Sequence, residues 1–170
     1  RHHQTWEAYI LRADLSLFTE VHEYDNWRSL SFKNPKFLDN SVQSVVKMRN
    51  NNNADPMIIS TEYLRTIIDV AMPTLTLLSA TAPLKIAVLG MGGGPLPHCF
   101  PSHPSLENSV IDAVELSPTV AFAAINFLGL ASVSNVHVHI SDALDWLENF
   151  PPPSSLDAIF VDNSLLILQT

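Results

Sequence analysis

From Lys85 onward the sequence alternates short apolar strands with helical stretches, and each strand ends in a polar or glycine-rich step. Lys85–Leu89 runs into Gly90-Met91-Gly92-Gly93-Gly94, and Val110–Val114 ends at Glu115. Val136–Ile140 ends at Ser141-Asp142, and Leu156–Val161 at Asp162-Asn163. Between them Pro118–Leu130 and Asp142–Phe150 predict helices, the first with proline in its opening turn. Pro151-Pro152-Pro153 is a stiff connection to the last strand. Strands separated by helices at this interval predict βαβ units and a parallel sheet. Open α/β sheets bind ligands beyond the carboxyl ends of their strands. Four loaded ends in succession therefore point to one crevice.

The preceding part reads differently. Phe18–Tyr24 alternates, Asp25-Asn26 is a turn pair, and Trp27–Phe32 returns as a second strand before Lys33-Asn34-Pro35. Ser41–Met48 is a third β-rich run, and Trp6–Phe18 has enough helix formers for a short helix. The four asparagines Asn50–Asn53, followed by Ala54-Asp55-Pro56, read as a solvated linker. Ser60–Leu78 has apolar residues at helical spacing, with Ser60 or Thr61 as N-cap and Pro73 expected to kink or divide it. The division is a small β-rich domain over residues 1–50 and a Rossmann-like cofactor-binding domain over 51–170.

The glycine loop lets backbone approach a ligand closely, and the helix after it can aim free N–H groups at an anion. The dinucleotide fingerprint Gly-x-Gly-x-x-Gly fails at its third position, which is Pro95; the loop is Gly-x-Gly-x-Gly through Gly90, Gly92 and Gly94. Glu115 stands where an acid accepts both ribose hydroxyls, although a solvated strand-end carboxylate reads the same way. Asp142 is similarly placed one strand later, where it could accept an exocyclic adenine amine, cap the next helix, or do both.

The runs IAVLGMGGGPLP, IDAVELSP, VHISDALDWL and LDAIFVDNS, in that order, resemble the motifs of class I S-adenosylmethionine-dependent methyltransferases. More narrowly they resemble the spermidine-synthase-like branch, whose small β domain carries a Leu-Asp-Gly-x-x-Gln strand similar to Leu38–Gln43 here. The resemblance implies that Gly90, Gly92, Gly93 and Gly94 lie against the amino-acid portion of S-adenosylmethionine and that Glu115 holds its ribose. It places Asp142 and Ala143 at adenine, Asp162 near the reacting centre as the candidate catalytic residue, and Gln43 over the cofactor. Aminopropyltransferases of this branch resemble Gly-Gly-Gly-Asp-Gly-Gly at the loop; their Asp is Gly93 here, which suits an intact methionine carboxylate. Their second acid after the strand-four Asp is replaced by Leu165, and their Asp-Glu-Phe-x-Tyr segment by the Asn loop, leaving Tyr63 as a weak counterpart.

Methyl transfer to a protein amine is therefore the leading expectation, and the GMGGGPLP form is similar to eukaryotic methyltransferases of translation elongation factor 1A. Such transfer is an in-line displacement that needs alignment, a dry site and a neutral acceptor amine. Asp162 would orient that amine or take its proton, or else act as a structural acid. Polyamine aminopropyl transfer is the alternative enzyme, and a non-catalytic module that pairs through an unfinished sheet edge, as a homodimer or hetero-complex, is the alternative class. The chain stops soon after the fourth strand while the resembled fold has seven, which predicts a truncated methyltransferase sheet and an exposed Leu165–Leu168 end.

Composition excludes other classes. With 9 Lys+Arg against 17 Asp+Glu and no basic run, nucleic acid is not an expected partner. No stretch is long enough to span a bilayer, the polar start lacks a signal core, and the single Cys99 suits a reducing compartment, so a cytoplasmic protein is expected. His137 and His139 share a strand face without a third ligand, and His98, Cys99 and His103 read as packing around a helix start, so no metal site is expected. Phe122, Phe127 and Leu128 are expected in the core.

Overall fold

In the computed structural model, residues 12–13, 17–33, 40–49, 53–152 and 155–162 are described. The expectations on Leu38-Asp39, Asn34-Pro35, Pro153 and Asn163 to Thr170 lie outside them. Asp25 and Asn26 take φ of 49° and 65°, the left-handed pair that a two-residue hairpin requires. They join β2 (Leu17–Tyr24) to β3 (Trp27–Lys33). With β1 (Arg12–Ala13), β4 (Asn40–Met48) and β5 (Ala54–Ile59) they form a five-stranded antiparallel meander in chain order. Two sequence expectations are corrected here. Arg12–Ala13 and Leu17–Phe18 are strand rather than helix. Ala54-Asp55-Pro56 is not linker but the start of β5, so the sheet runs to Ile59 rather than ending near residue 50. Pro56 is tolerated because β5 is an edge strand, where a missing N–H costs no ladder bond.

α1 (Glu62–Ser79) follows and continues through Pro73, which does not divide it. Pro73 and the Asp69 carbonyl it leaves unpaired lie on the exposed side, where solvent can satisfy that oxygen. The second sheet is parallel: β6 (Lys85–Leu89), β7 (Val110–Glu115), β8 (Val136–Ile140) and β9 (Ala158–Val161). α2 (Pro95–Ser102), α3 (Pro118–Asn126) and α4 (Ala143–Asn149) are the crossovers. α3 stops short of the expected Leu130: the chain turns at Gly129 (φ 87°) into a single 3-10 turn, Leu130–Ser132.

Ile86–Leu89 are buried on both faces, as a continuous apolar run in a central parallel strand should be. Ile86, Val88 and Ile111 pack against Leu64 and Leu75 of α1 and Leu96 and Phe100 of α2. Ala87, Leu89 and Val114 meet Trp146 of α4 on the other face. The antiparallel sheet is held to this unit by Leu30, Val46, Met48 and Ala54 against Val120, Ala123 and Leu128. Arg28 adds a 2.7 Å bond from Nη1 to the Phe127 carbonyl. Leu128 is core as expected; Phe122, 43% exposed, is not, and only edges onto Phe127.

The strand order is β8-β7-β6-β9. The chain builds outward from β6 to β8, then α4 carries it back to the far side of β6. The order reverses between β6 and β9, and at such a switch point the carboxyl ends open a crevice.

Candidate functional site

Gly90 ends β6 at that switch point. Its φ is 82°, and a Cβ there would lie 2.3 Å from the Asp162 carbonyl oxygen, so glycine is required on both counts. Gly90 and Met91 both donate to the Val114 carbonyl, at 2.9 and 3.1 Å. Gly92 (φ 53°) donates to Glu115 Oε2 at 3.1 Å, and Gly93 donates to Ser44 Oγ at 2.9 Å. Gly94 (φ 85°) donates to the Met91 carbonyl at 2.9 Å and then caps α2. Every amide of the loop is thus engaged within the protein. Pro95 and Pro97 have none, and His98 donates to the Gly94 carbonyl at 3.0 Å. Leu96 is left as the one amide of the first turn of α2 without an acceptor among the described residues. The expectation that the helix after the loop aims free N–H groups at an anion is corrected accordingly.

Glu115 is fastened at both oxygens, Oε2 by Gly92 and Oε1 by the Ser117 amide at 2.9 Å. Burial pushes its carboxyl above the usual range; the amides of Ser117, Gly92 and Leu116 pull it back, and the Asp162 charge adds a smaller push. Each oxygen keeps a lone pair for a ligand. The Ser141 amide donates to the Glu115 carbonyl at 3.1 Å, which ties the ends of β7 and β8 together.

Asp142 caps α4: Oδ1 accepts from Leu144 and Asp145 amides at 2.8 and 3.2 Å, and Oδ2 takes no bond among the described residues. Ala143 opens the helix half-buried beside Trp146. Leu116, Ile140 and Leu144, at the same edge, are 69%, 59% and 70% exposed. Three apolar side chains standing in solvent around two acids form a surface that a flat, partly apolar ring could cover.

Asp162 ends β9, its amide bonded to the Leu89 carbonyl at 2.8 Å. The Tyr63 hydroxyl from α1 donates to its Oδ1 at 3.0 Å and reaches Oδ2 at 3.3 Å. Burial raises the Asp162 carboxyl and the Tyr63 bond lowers it partway. Burial, then the Asp162 charge and bond, push Tyr63 up to about 12, so it stays a protonated donor.

Gln43 is the extra residue of a β-bulge: Leu30 faces Ser44 and Ser31 faces Val42, with Gln43 unmatched between them. Bulges re-aim side chains beside sites, and this one sits next to the Ser44 that touches the loop.

No family model matches the chain. It is 37% identical over 82 residues to the eEF1A lysine and N-terminal methyltransferase of Mus musculus, across 47% of this chain and 12% of that protein. The Homo sapiens protein of the same name is 38% identical over 65 residues, 38% of this chain and 9% of its own length. The chain therefore spans only a small part of the curated relatives it matches. Among solved structures, a Corynebacterium glutamicum chain described as a probable spermidine synthase superposes with a TM-score of 0.71 at 20% identity, covering 98% of this chain and 55% of that one. The likeness shows the fold: an antiparallel sheet followed by a parallel α/β sheet, as in that spermidine-synthase-like structure.

In this spermidine-synthase-like fold the residues singled out from sequence fall into two groups. Gly90, Gly92, Gly93, Gly94, Glu115 and Asp162 gather around the switch point, and Gln43 lies on the antiparallel sheet beside Ser44, which touches the loop. Asp142 and Ala143 stand one strand further out. Sequence reasoning overlooked Ser44, whose contact with Gly93 no spacing announces, and undervalued Tyr63. Elsewhere, Asp112 Oδ1 accepts from or pairs with both strand histidines, His139 Nε2 at 2.7 Å and His137 Nδ1 at 3.8 Å. Cys99 is buried and its thiol is pushed up to about 11, which removes it as a nucleophile. Among the described residues no helix is long and apolar enough to cross a membrane.

Proposed function

We propose that this chain is the cofactor-binding half of an S-adenosylmethionine-dependent methyltransferase whose acceptor is a protein amine, with a translation factor as the first candidate. The observation that carries the reading is the convergence at one switch point of a bare glycine loop, a buried Glu115 bonded to that loop, and the Tyr63–Asp162 pair. The donor set fits the cofactor: Glu115 retains lone pairs for two ribose hydroxyls, Asp142 Oδ2 for an adenine amine, and the exposed Leu116, Ile140 and Leu144 for the ring faces. The partial similarity to the eEF1A methyltransferases, 37% identity over 82 residues, supports the methyl-transfer reading.

When bound, S-adenosylmethionine supplies an electrophilic methyl on a sulfonium centre. Glu115, held by the Gly92 and Ser117 amides, would bind the ribose hydroxyls and so orient the cofactor. Asp162 holds the incoming amine by its carboxylate, and in its raised state can take the amine's proton. Tyr63, kept protonated, holds the carboxylate in one orientation. A side chain at position 93 is excluded, since its Cβ would fall 2.5 Å from Ser44 Cβ and 2.9 Å from Leu128 Cδ1. No anion can stand there to select a decarboxylated cofactor, which favours methyl over aminopropyl transfer.

Calorimetry with S-adenosylmethionine and its decarboxylated analogue tests the proposal, using the wild type and Glu115→Ala. Losing hydrogen bonds to a charged acceptor costs roughly 1.5–3 kcal/mol, about tenfold or more in affinity. Preference for the intact cofactor, weakened in the variant, supports the reading. Preference for the decarboxylated compound with turnover of a polyamine reverses it toward aminopropyl transfer. A folded chain that binds neither is an interaction module.

A further inference from the structure

Ser44 makes a contact with the glycine loop that the proposed mechanism leaves unused. It lies on β4, directly after the bulge at Gln43, and is only 6% exposed. Its Oγ accepts the Gly93 amide, the one hydrogen bond of this side chain among the described residues. A hydroxyl that accepts one bond still has a proton to donate, and among the described residues no acceptor takes it. The same oxygen lies 3.1 Å from where a Gly92 Cβ would stand and 3.0 Å from that of Gly93. It therefore sits against the loop where the backbone is bare.

The loop amides cannot serve an anion, since all five are consumed internally. In open α/β sheets the acid after the second strand takes the ribose, and the group carried on the ribose lies over the glycine loop. Here that acid, Glu115, is bonded to Gly92, so a group carried on a ribose held by it would pass beside Gly93 and Ser44. We propose that Ser44 is a specificity-determining residue: its O–H donates to the carboxylate at the amino-acid end of the ligand and selects intact S-adenosylmethionine over a decarboxylated cofactor. The inference rests on S-adenosylmethionine being the ligand, and it makes the antiparallel sheet part of the cofactor site.

The test is isothermal calorimetry of both compounds with the wild type, Ser44→Ala and Ser44→Cys. The wild type should prefer the intact cofactor by about tenfold or more, the worth of one charge-assisted hydrogen bond. Ser44→Ala should lose that factor for S-adenosylmethionine while changing the analogue by less than twofold, so that the preference collapses. Ser44→Cys, a near-isosteric but weaker donor, should fall between, and it serves if the alanine variant fails to fold. Equal losses for both compounds would show that Ser44 merely supports the loop, and unchanged affinities would make it a bystander; either overturns the proposal. A wild type that binds both equally overturns it alone, whereas one that binds neither overturns the cofactor reading as well.

Discussion

In the parallel sheet every fully buried strand position is apolar, from Ile86 through Leu89 to Ile111, Ala113 and Val114, and apart from the Asp112, His137 and His139 group the polar residues stand at the strand ends. The antiparallel sheet instead buries Thr19, Ser31 and Ser44 among Leu30, Val46 and Met48. The difference follows from what each sheet does. A parallel sheet flanked by helices has no solvated face and needs apolar side chains on both, so its chemistry is pushed to the strand ends. The antiparallel sheet has one inward face and can lend it a hydroxyl, provided a partner satisfies it. At the glycine loop the two strategies meet: Glu115 comes from a strand end, Ser44 from a strand middle.

Gly90 is where breaking the arrangement should cost most. Gly90→Ala forces a side chain into the left-handed region and onto the Asp162 carbonyl. A loss of about 4 kcal/mol or more is expected, in the range that only backbone strain and severe overpacking reach, and denaturant titration would show it. If the variant were nearly as stable as the wild type, the close passage of β6 past the end of β9 would not be what requires glycine here.

His98 is the exception that sharpens the contrast, a polar side chain buried in α2 with Nε2 unpartnered. Burial pushes its imidazole from 6.5 down to about 4, with the Leu128 carbonyl pulling back slightly. Between those values the unfolded chain takes up a proton that the folded one refuses, so stability falls as pH drops, by about 3 kcal/mol near pH 4. Glu115 and Asp162, both raised, act with the opposite sign: the folded state keeps their protons longer and gains stability as pH falls toward the ordinary carboxylate range. His98→Leu should therefore abolish the acid-side loss and leave the opposing trend visible. Parallel curves for wild type and variant from pH 7 to 4 would show that His98 is not held neutral.

A smaller effect is expected where the two sheets touch. Gly93 has no positive φ, so Gly93→Ala suffers from contact alone: its Cβ would stand 2.5 Å from Ser44 Cβ and 2.9 Å from Leu128 Cδ1, and the two sheets must shift to admit it, overpacking worth about 1–3 kcal/mol. Combining it with Ser44→Gly frees the space, and the double variant should be less destabilised than the sum of the single ones. Additivity would mean that the contact transmits nothing between the sheets.

Much of this was legible before any coordinates. The apolar runs of β6, β7 and β8, the Asp25-Asn26 hairpin and the loaded strand ends each carry a local signal, and they gave the parallel sheet and the candidates at its edge. What was misread depended on neighbours in space. β5 was hidden because Asn53 and Pro56 read as turn residues until β4 supplies a pairing partner. The Tyr63–Asp162 bond joins residues 99 positions apart, and Ser44 is one of two serines in β4. Prolines misled in both directions. Pro73 signals a kink or a division, and the helix is not divided there, while Pro95 and Pro97 remove two donors from the turn expected to hold an anion.

Asp142 offers the smallest effect and the cleanest separation of roles. Its Oδ1 already caps α4, which alone would justify an acid at that position. Its Oδ2 is the atom assigned to adenine. Serine caps a helix about as well as aspartate, so Asp142→Ser should leave stability within about 0.5 kcal/mol. The shorter hydroxyl, occupied by the cap, cannot also reach the ring, and S-adenosylmethionine affinity should fall several-fold, within the 0.5–1.5 kcal/mol of one ordinary hydrogen bond. Asp142→Ala should lose both, adding about 1 kcal/mol of destabilisation. If the serine variant binds like the wild type, the carboxylate belongs to the helix alone. The edge around β8 would then contribute only the apolar faces of Leu116, Ile140 and Leu144, and recognition would rest on the switch point where Glu115 and Ser44 meet the loop.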